Sequence, residues 1–108
     1  MTLPPDEVRL QHIRDAAETA ERFVAGRDRS DLDSDEMLRL ALTKLIEIVG
    51  EAAKQVSDET RARFPRVAWA DASRMRDRLV HHYFDLDLDV LWATASEDLP
   101  NLVAGLSD

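Results

Sequence analysis

Between Met37 and Val56 twelve of twenty residues are apolar, and Leu38, Leu42, Leu45, Val49, Ala52 and Val56 recur at alternating four- and three-residue steps. That period belongs to an α-helix and not to a strand, whose faces repeat every second residue. At 100° per residue the polar positions occupy an arc of roughly 160°, and nearly all the apolar ones fill the other ~200°. A surface helix of a monomer needs a stripe only somewhat wider than ~100°. The spacing therefore predicts a helix covered on two sides at once, as the central rod of a bundle or at an interface between subunits. Asp35 is available to cap its start, and Ser57-Asp58 follows its end.

The rest of the chain supplies helices to cover it. Pro4-Pro5-Asp6 opens a first one, in which Leu10, Ile13, Ala17, Ala20 and Val24 share a face until Gly26 stops it. A polar turn runs through Asp35, Asp58 to Phe64 reads as a short helix ended by Pro65, and Trp69 to about Tyr83 reads as a third long helix. Leu88 to Leu106 forms the last, with a kink expected at Pro100. With only three glycines and four prolines in 108 residues, the chain suits helices better than a sandwich or barrel. The reading is all-α: an antiparallel up-down four-helix bundle with one short extra helix, in a single domain spanning residues 1–108.

Several functions are excluded or made less attractive by composition. The chain has no cysteine, so disulfides, thiol nucleophiles and thiolate metal sites are absent. No apolar run approaches the ~20 residues that span a bilayer, and Met1 to Asp6 lacks the regions of a signal peptide, so a cytoplasmic protein without a membrane partner is expected. The net charge of −8 argues against coating nucleic acid with the whole surface. Charge is unevenly placed, however: Lys54 to His82 holds seven basic and four acidic residues, a local +3 against −11 elsewhere. A confined basic region suits a small anionic site, or else ion pairing along helix surfaces.

Inside that region Arg76 is anomalous. The third helix's apolar stripe runs through Trp69, Ala72, Met75, Leu79, Val80 and Tyr83, and in an ideal helix Arg76 projects within it. Its permanent charge then needs a carboxylate, a phosphate or a polar cleft. Snorkelling to solvent, pairing with Glu47 or Glu51, and binding of a phosphate are the open readings. His81 lies four residues after Asp77, a helical spacing that lets a carboxylate orient an imidazole. Histidine is the usual acid or base near neutral pH, yet an ideal helix sets Arg76 and His81 roughly 140° apart. Either the helix tightens or ends near His82, or the cleft forms between two copies of the chain.

A metal site is disfavoured despite the ligand types at His81, His82, Asp85, Asp87 and Asp89. A calcium loop beginning at Asp85 would want glycine where Val90 stands and glutamate where Ser96 stands, and no second ligand pair supplies zinc. Asp87 or Asp89 is better placed to cap the last helix. No metal or other cofactor is expected.

The order of these residues resembles a known family. IEIVGEAAKQVSDETRARFP, VAW, MRDRLVHHYFDLDLDVLW and DLPNL, between Ile46 and Leu102, are similar to the HepT-like group of HEPN-domain proteins. The distinctive element is arginine, four residues, histidine, one residue, tyrosine, here Arg76, His81 and Tyr83. It is accompanied in order by Gly50-Glu51-Ala52, Pro65, Trp69 and Asp98-Leu99-Pro100. The family usually has asparagine after the arginine, where this chain has Asp77, and often a small residue at the position of His82.

The resemblance implies a bundle that forms a homodimer with two motifs facing one cleft. It implies a toxin of a type II- or VII-like toxin–antitoxin pair, a metal-independent endoribonuclease with RNA as substrate. Arg76 and His81 would be catalytic, with Asp77 and His82 supporting. A minimal nucleotidyltransferase antitoxin would neutralise it by AMPylating Tyr83. The alternative is a catalytically inactive HEPN dimer that binds a partner, which the Asp77 carboxylate beside a phosphate site favours through repulsion.

Overall fold

The computed structural model describes residues 5–80 and 85–107. Seven α-helical segments are named among them: α1 (Pro5–Val24), α2 (Asp31–Ser34), α3 (Glu36–Lys54), α4 (Asp58–Arg63), α5 (Trp69–Ser73), α6 (Leu88–Ala93) and α7 (Leu99–Gly105). A 3₁₀ turn at Asp77–Leu79 follows α5, and a π turn at Thr94–Asp98 joins α6 to α7. The all-α bundle expected from periodicity is present, and no helix among the described residues is long and apolar enough to cross a membrane.

Helix ends are set by the residues that the sequence marks. Asp35 accepts from Leu38 N–H at the start of α3, Ser57 accepts from Thr60 N–H at the start of α4, and Asp87 accepts from Val90 N–H at the start of α6. Each bond satisfies an amide that has no partner within its own helix. Gly26, just beyond α1, has φ +73, a left-handed conformation that glycine reaches without a Cβ penalty.

Cross-links between helix ends give the directions. Asp6, in the first turn of α1, accepts from the Ser57 and Thr60 hydroxyls and from the Ser57 amide beyond the end of α3. At the opposite end Arg27 pairs at 2.7 Å with Asp35, the cap of α3. α1 and α3 therefore run antiparallel. Arg29 pairs with Asp89 at 2.6 Å, and Arg14 donates to the Leu106 carbonyl at 3.0 Å, so the α6–α7 rod also runs antiparallel to α1. The core lies between these rods. Leu10 and Ile13 of α1, Leu42, Ile46 and Val49 of α3, and Leu91, Leu99 and Leu102 of the last rod are buried there. Full burial of one such aliphatic side chain stabilises by about 1.5–3 kcal/mol.

The fourth rod departs from expectation. Residues from Trp69 do not form one helix to Tyr83: α5 ends at Ser73, turns follow, and Val80 is extended at φ −123, ψ 122. At its end Ser73 Oγ donates to the Trp69 carbonyl, Arg74 Nε to that of Ala70 and Arg78 Nη2 to that of Asp71. The amides of Met75, Asp77 and Leu79 bond three residues back. Val80 then forms an antiparallel bridge with Leu86, and Asp87 N–H donates to the Leu79 carbonyl at 2.7 Å.

Pro100 acts as expected on the last rod, since its missing N–H interrupts the ladder. The chain accommodates this by the π turn, in which the Leu99 amide reaches back to the Thr94 carbonyl and the Ser96 hydroxyl donates to Trp92.

The Asp6 cross-link gives the fold an acid-sensitive joint. Hydrogen bonds from Ser57 and Thr60 hold its carboxyl below the ordinary 3.8. A depressed folded value means stabilisation that is fully present above 3.8 and is lost as pH falls through the folded value. Chemical denaturation of wild-type and Asp6→Asn protein should show the variant less stable at neutral pH, with the gap closing below 3.8. A gap that is constant across that range would show that Asp6 does not titrate this joint.

Candidate functional site

Of the residues that the sequence nominates, the structure describes Arg76 and Asp77. His81, His82 and Tyr83 lie outside the described residues, between Val80 and Asp85. The Val80–Leu86 bridge and the Asp87–Leu79 hydrogen bond tie the chain on both sides of that interval to one another. Arg76 opens the 3₁₀ turn that leads into this clip.

Arg76 does not sit in the apolar stripe. Trp69, Ala72, Met75 and Leu79 are buried and Val80 is half-buried, whereas the Arg76 side chain is 57% exposed. The ideal-helix projection fails because the chain winds at three residues per turn after Ser73, which rotates each successive side chain by about 20° more than an α-helix does. Pairing with Glu47 or Glu51 is not observed. Glu47 pairs with Lys44 at 3.7 Å and Glu51 with Lys54 at 3.5 Å.

The same change removes the helical basis for seating His81 against Asp77. Four-residue spacing brings side chains together only along an α-helix, and no α-helix runs through Leu79 and Val80. The helix is interrupted before His81, and where His81 stands relative to Arg76 lies outside the described residues.

Gly50 of α3 faces the backbone that carries the arginine. A Cβ built there would lie 3.7 Å from the Ala72 and Ser73 carbonyl oxygens and 3.9 Å from Arg76 Cβ. The carbonyl end of α5 thus rests directly on α3, and any side chain longer than a methyl would meet it.

The electrostatics of the basic region separate Arg76 from its neighbours. Arg61 donates to the Val56 and Ala53 carbonyls at the end of α3 and lies over the Trp69 ring at 5.7 Å. Arg63 pairs with Glu7, Arg66 donates to the Ala104 carbonyl, and Arg74 and Arg78 hold carbonyls of α5. Lys54 pairs with Glu51. Arg76 alone of these seven makes no hydrogen bond among the described residues, its one charge contact being Asp77 Oδ1 at 3.9 Å from Nη1. Much of the local positive charge is thus committed to carbonyls at helix ends, and one guanidinium presents its donors to solvent.

The "Ribonuclease HepT-like" family matches residues 13–107. The chain belongs to that family. A Thermococcus cleftensis protein named "Probable ribonuclease HepT" is 37% identical over 93 residues, covering 86% of this chain and 84% of the relative. Two relatives named "Putative RNase" come from Methanocaldococcus jannaschii, 31% identical and covering 86% and 85% of the two chains, and from Caldanaerobacter subterraneus subsp. tengcongensis, 33% identical and covering 86% and 83%. No solved structure matches the chain.

Sequence reading left open whether Arg76 reaches solvent, pairs with Glu47 or Glu51 or meets a phosphate; the structure exposes its side chain and pairs those glutamates with Lys44 and Lys54. The turns after Ser73 that carry Arg76 leave no trace in apolar periodicity.

Proposed function

We propose that this HepT-like protein is a metal-independent endoribonuclease acting as the toxin of a toxin–antitoxin pair. The observation that carries the reading is the exposed Arg76 guanidinium, uncommitted beside a pinned turn while its basic neighbours are spent on carbonyls and carboxylates. A planar, permanently charged fork in that state is matched to a phosphodiester. Family membership and the names of the relatives support the same chemistry.

In the proposed reaction His81 takes the proton from a ribose 2′-hydroxyl, whose oxygen attacks the adjacent phosphorus. A P–O2′ bond forms and the P–O5′ bond breaks. Arg76 stabilises the negative charge that accumulates on the non-bridging oxygens. His82, or the partner subunit's His81, returns a proton to the departing O5′. The products are a 2′,3′-cyclic phosphate and a 5′-hydroxyl, and the nucleophile belongs to the RNA.

A second reading, an inactive partner-binding dimer, is favoured by the Asp77 carboxylate 3.9 Å from Arg76 Nη1. The magnitude is against it. Both side chains are more than half exposed, and an ion pair of this kind is worth about 0–1 kcal/mol, less than a bidentate phosphate contact offers in exchange. Incubation of purified protein with RNA in chelator separates the two readings. Arg76→Ala and His81→Ala should each lower cleavage by on the order of 10²-fold or more with helicity intact. Undiminished cleavage by His81→Ala protein would reject the assignment.

We also propose a homodimer. On α3, Leu45 and Ile48 are only half-buried, and Met37 and Leu40 stand 82% and 62% exposed, so part of the wide apolar arc has no cover within the chain. A second copy laid on this face would bury it. Sedimentation should give twice the 12.2 kDa chain mass, and Met37→Asp with Ile48→Asp should halve it. A wild-type mass of one chain at micromolar concentration would refute the dimer.

Control by a minimal nucleotidyltransferase that transfers AMP to Tyr83 completes the proposal. The tyrosine oxygen attacks the α-phosphorus of ATP, pyrophosphate leaves, and the phosphodiester formed carries a negative charge that competes with RNA for Arg76. Intact-mass analysis after incubation with the enzyme, ATP and magnesium should show added AMP in wild-type and none in Tyr83→Phe protein. Addition that persists in the variant would place the acceptor elsewhere.

A further inference from the structure

A cavity of about 230 Å³ lies between the α5 end of the motif and the α6–α7 rod. Val67, Met75 and Leu102 are buried and give it an apolar floor, while Asp98 and Asn101 line it from the last rod and Arg78 from the motif side. Its volume is below the ~300–1,000 Å³ of pockets that enclose whole drug-sized ligands, so it suits one flat ring system. Met75 and Arg78 of its lining belong to the same segment as Arg76, which does not itself line the cavity.

Neither the Asp98 carboxylate nor the Asn101 amide makes a hydrogen bond or ion pair among the described residues, although Asp98 is half-buried. They stand three positions apart where the π turn passes into α7, a spacing that puts them on one face. Arg78 already spends one nitrogen on the Asp71 carbonyl, which fixes a guanidinium plane at the rim. An apolar slot with a stacking cation and an unpaired carboxylate–carboxamide edge has the elements of a site for a splayed-out base.

The donor pattern selects among bases. A carboxylate accepts two hydrogen bonds side by side, and only guanine presents two adjacent donors, N1–H and N2–H, on its Watson–Crick edge; its O6 next to them accepts from an amide. Adenine and cytosine present a ring-nitrogen acceptor beside their amino group, and uracil places carbonyl oxygens on both sides of its single N–H, so each would set a lone pair against Asp98. We propose that this cavity binds a guanine base of single-stranded RNA, with Asp98 and Asn101 reading the base and Arg78 stacking on it. Its role in choosing the cleavage site rests on the ribonuclease reading, whereas the binding itself does not.

Titration of the full chain with 5′-GMP, AMP, CMP and UMP, followed by calorimetry and by the backbone and side-chain amide signals of Asn101, tests the cavity apart from catalysis. All four carry the same phosphate, so differences report the base. GMP should bind about tenfold or more tighter than the others, at the low end of what one bidentate base contact supplies, and perturb Asn101. Asp98→Asn should abolish the preference with the circular dichroism unchanged, and Asn101→Ala should weaken it. In oligonucleotides that differ at one position, cleavage should follow guanine for the wild type and lose that bias in Asp98→Asn. Equal binding of the four nucleotides, binding of none, or a guanine preference that survives Asp98→Asn would overturn the proposal. Selective GMP binding by a protein that cuts no RNA would retire the ribonuclease reading and leave the cavity standing. Cleavage by a protein that binds no base selectively would do the reverse.

Discussion

A helix whose apolar face is wider than one neighbour can cover forces the rest of this chain to assemble around it. Leu38, Leu42, Ile46, Val49, Ala52 and Ala53 of α3 are buried together, and α1 alone does not account for that: α5, α2 and the last rod also pack on α3. The contact with α5 determines the site. Gly50 lies under the Ala72 and Ser73 carbonyls at the end of α5, where a Cβ would make ordinary contact at 3.7 Å. Trp69, Ala72, Met75 and Leu79 of that segment are buried, whereas Arg76 between them is exposed.

The frame of the bundle was legible because it is written in local chemistry. Caps at Asp35 and Ser57, the left-handed stop at Gly26 and the interruption near Pro100 depend on residues within one turn of the feature that they produce. The fourth rod was not legible, and the reason is specific. Periodicity counts where apolar residues fall and is blind to which donor satisfies a carbonyl. Trp69, Ala72, Met75 and Leu79 at three- and four-residue steps are as compatible with an α-helix as with a short helix followed by turns bonded three residues back. Here the amides of Arg74, Met75, Asp77 and Leu79 bond three residues back, and the segment is the second of these. The candidate residues were nominated through their order, and of the readings left open for Arg76 the structure has it exposed to solvent and not paired with Glu47 or Glu51.

Charge shows a similar division between what composition suggests and what structure does with it. A local excess of arginine on an acidic chain suggests a broad basic surface, but here most of those guanidiniums close helix ends. Arg61 satisfies α3, Arg74 and Arg78 satisfy α5, and Arg66 reaches the Ala104 carbonyl of α7. An arginine that caps a carbonyl keeps its charge, so it still contributes to the field around the site while its donors are occupied. The result is a diffuse positive background around one guanidinium with free donors, which suits a single phosphate better than a long duplex.

The 3₁₀ turn and the π turn named among the described residues each adjoin a polar side chain, Arg76 in one case and Asp98 in the other. Irregular turns cost backbone hydrogen-bond geometry and persist where the surrounding packing over-determines them. The 3₁₀ turn at Asp77–Leu79 begins beside Arg76, and the π turn at Thr94–Asp98 ends on Asp98. Continuing either as an α-helix would change the azimuth of the polar side chain at its end, carrying Arg76 into the stripe that Met75 and Leu79 occupy and turning Asp98 relative to Leu99 and Leu102. The buried aliphatic residues on each element hold the rods in register while the irregular turns set where the polar groups point. A bundle core and a polar site make conflicting demands on the same two segments, and the tightened turn and the widened turn are how this chain meets both.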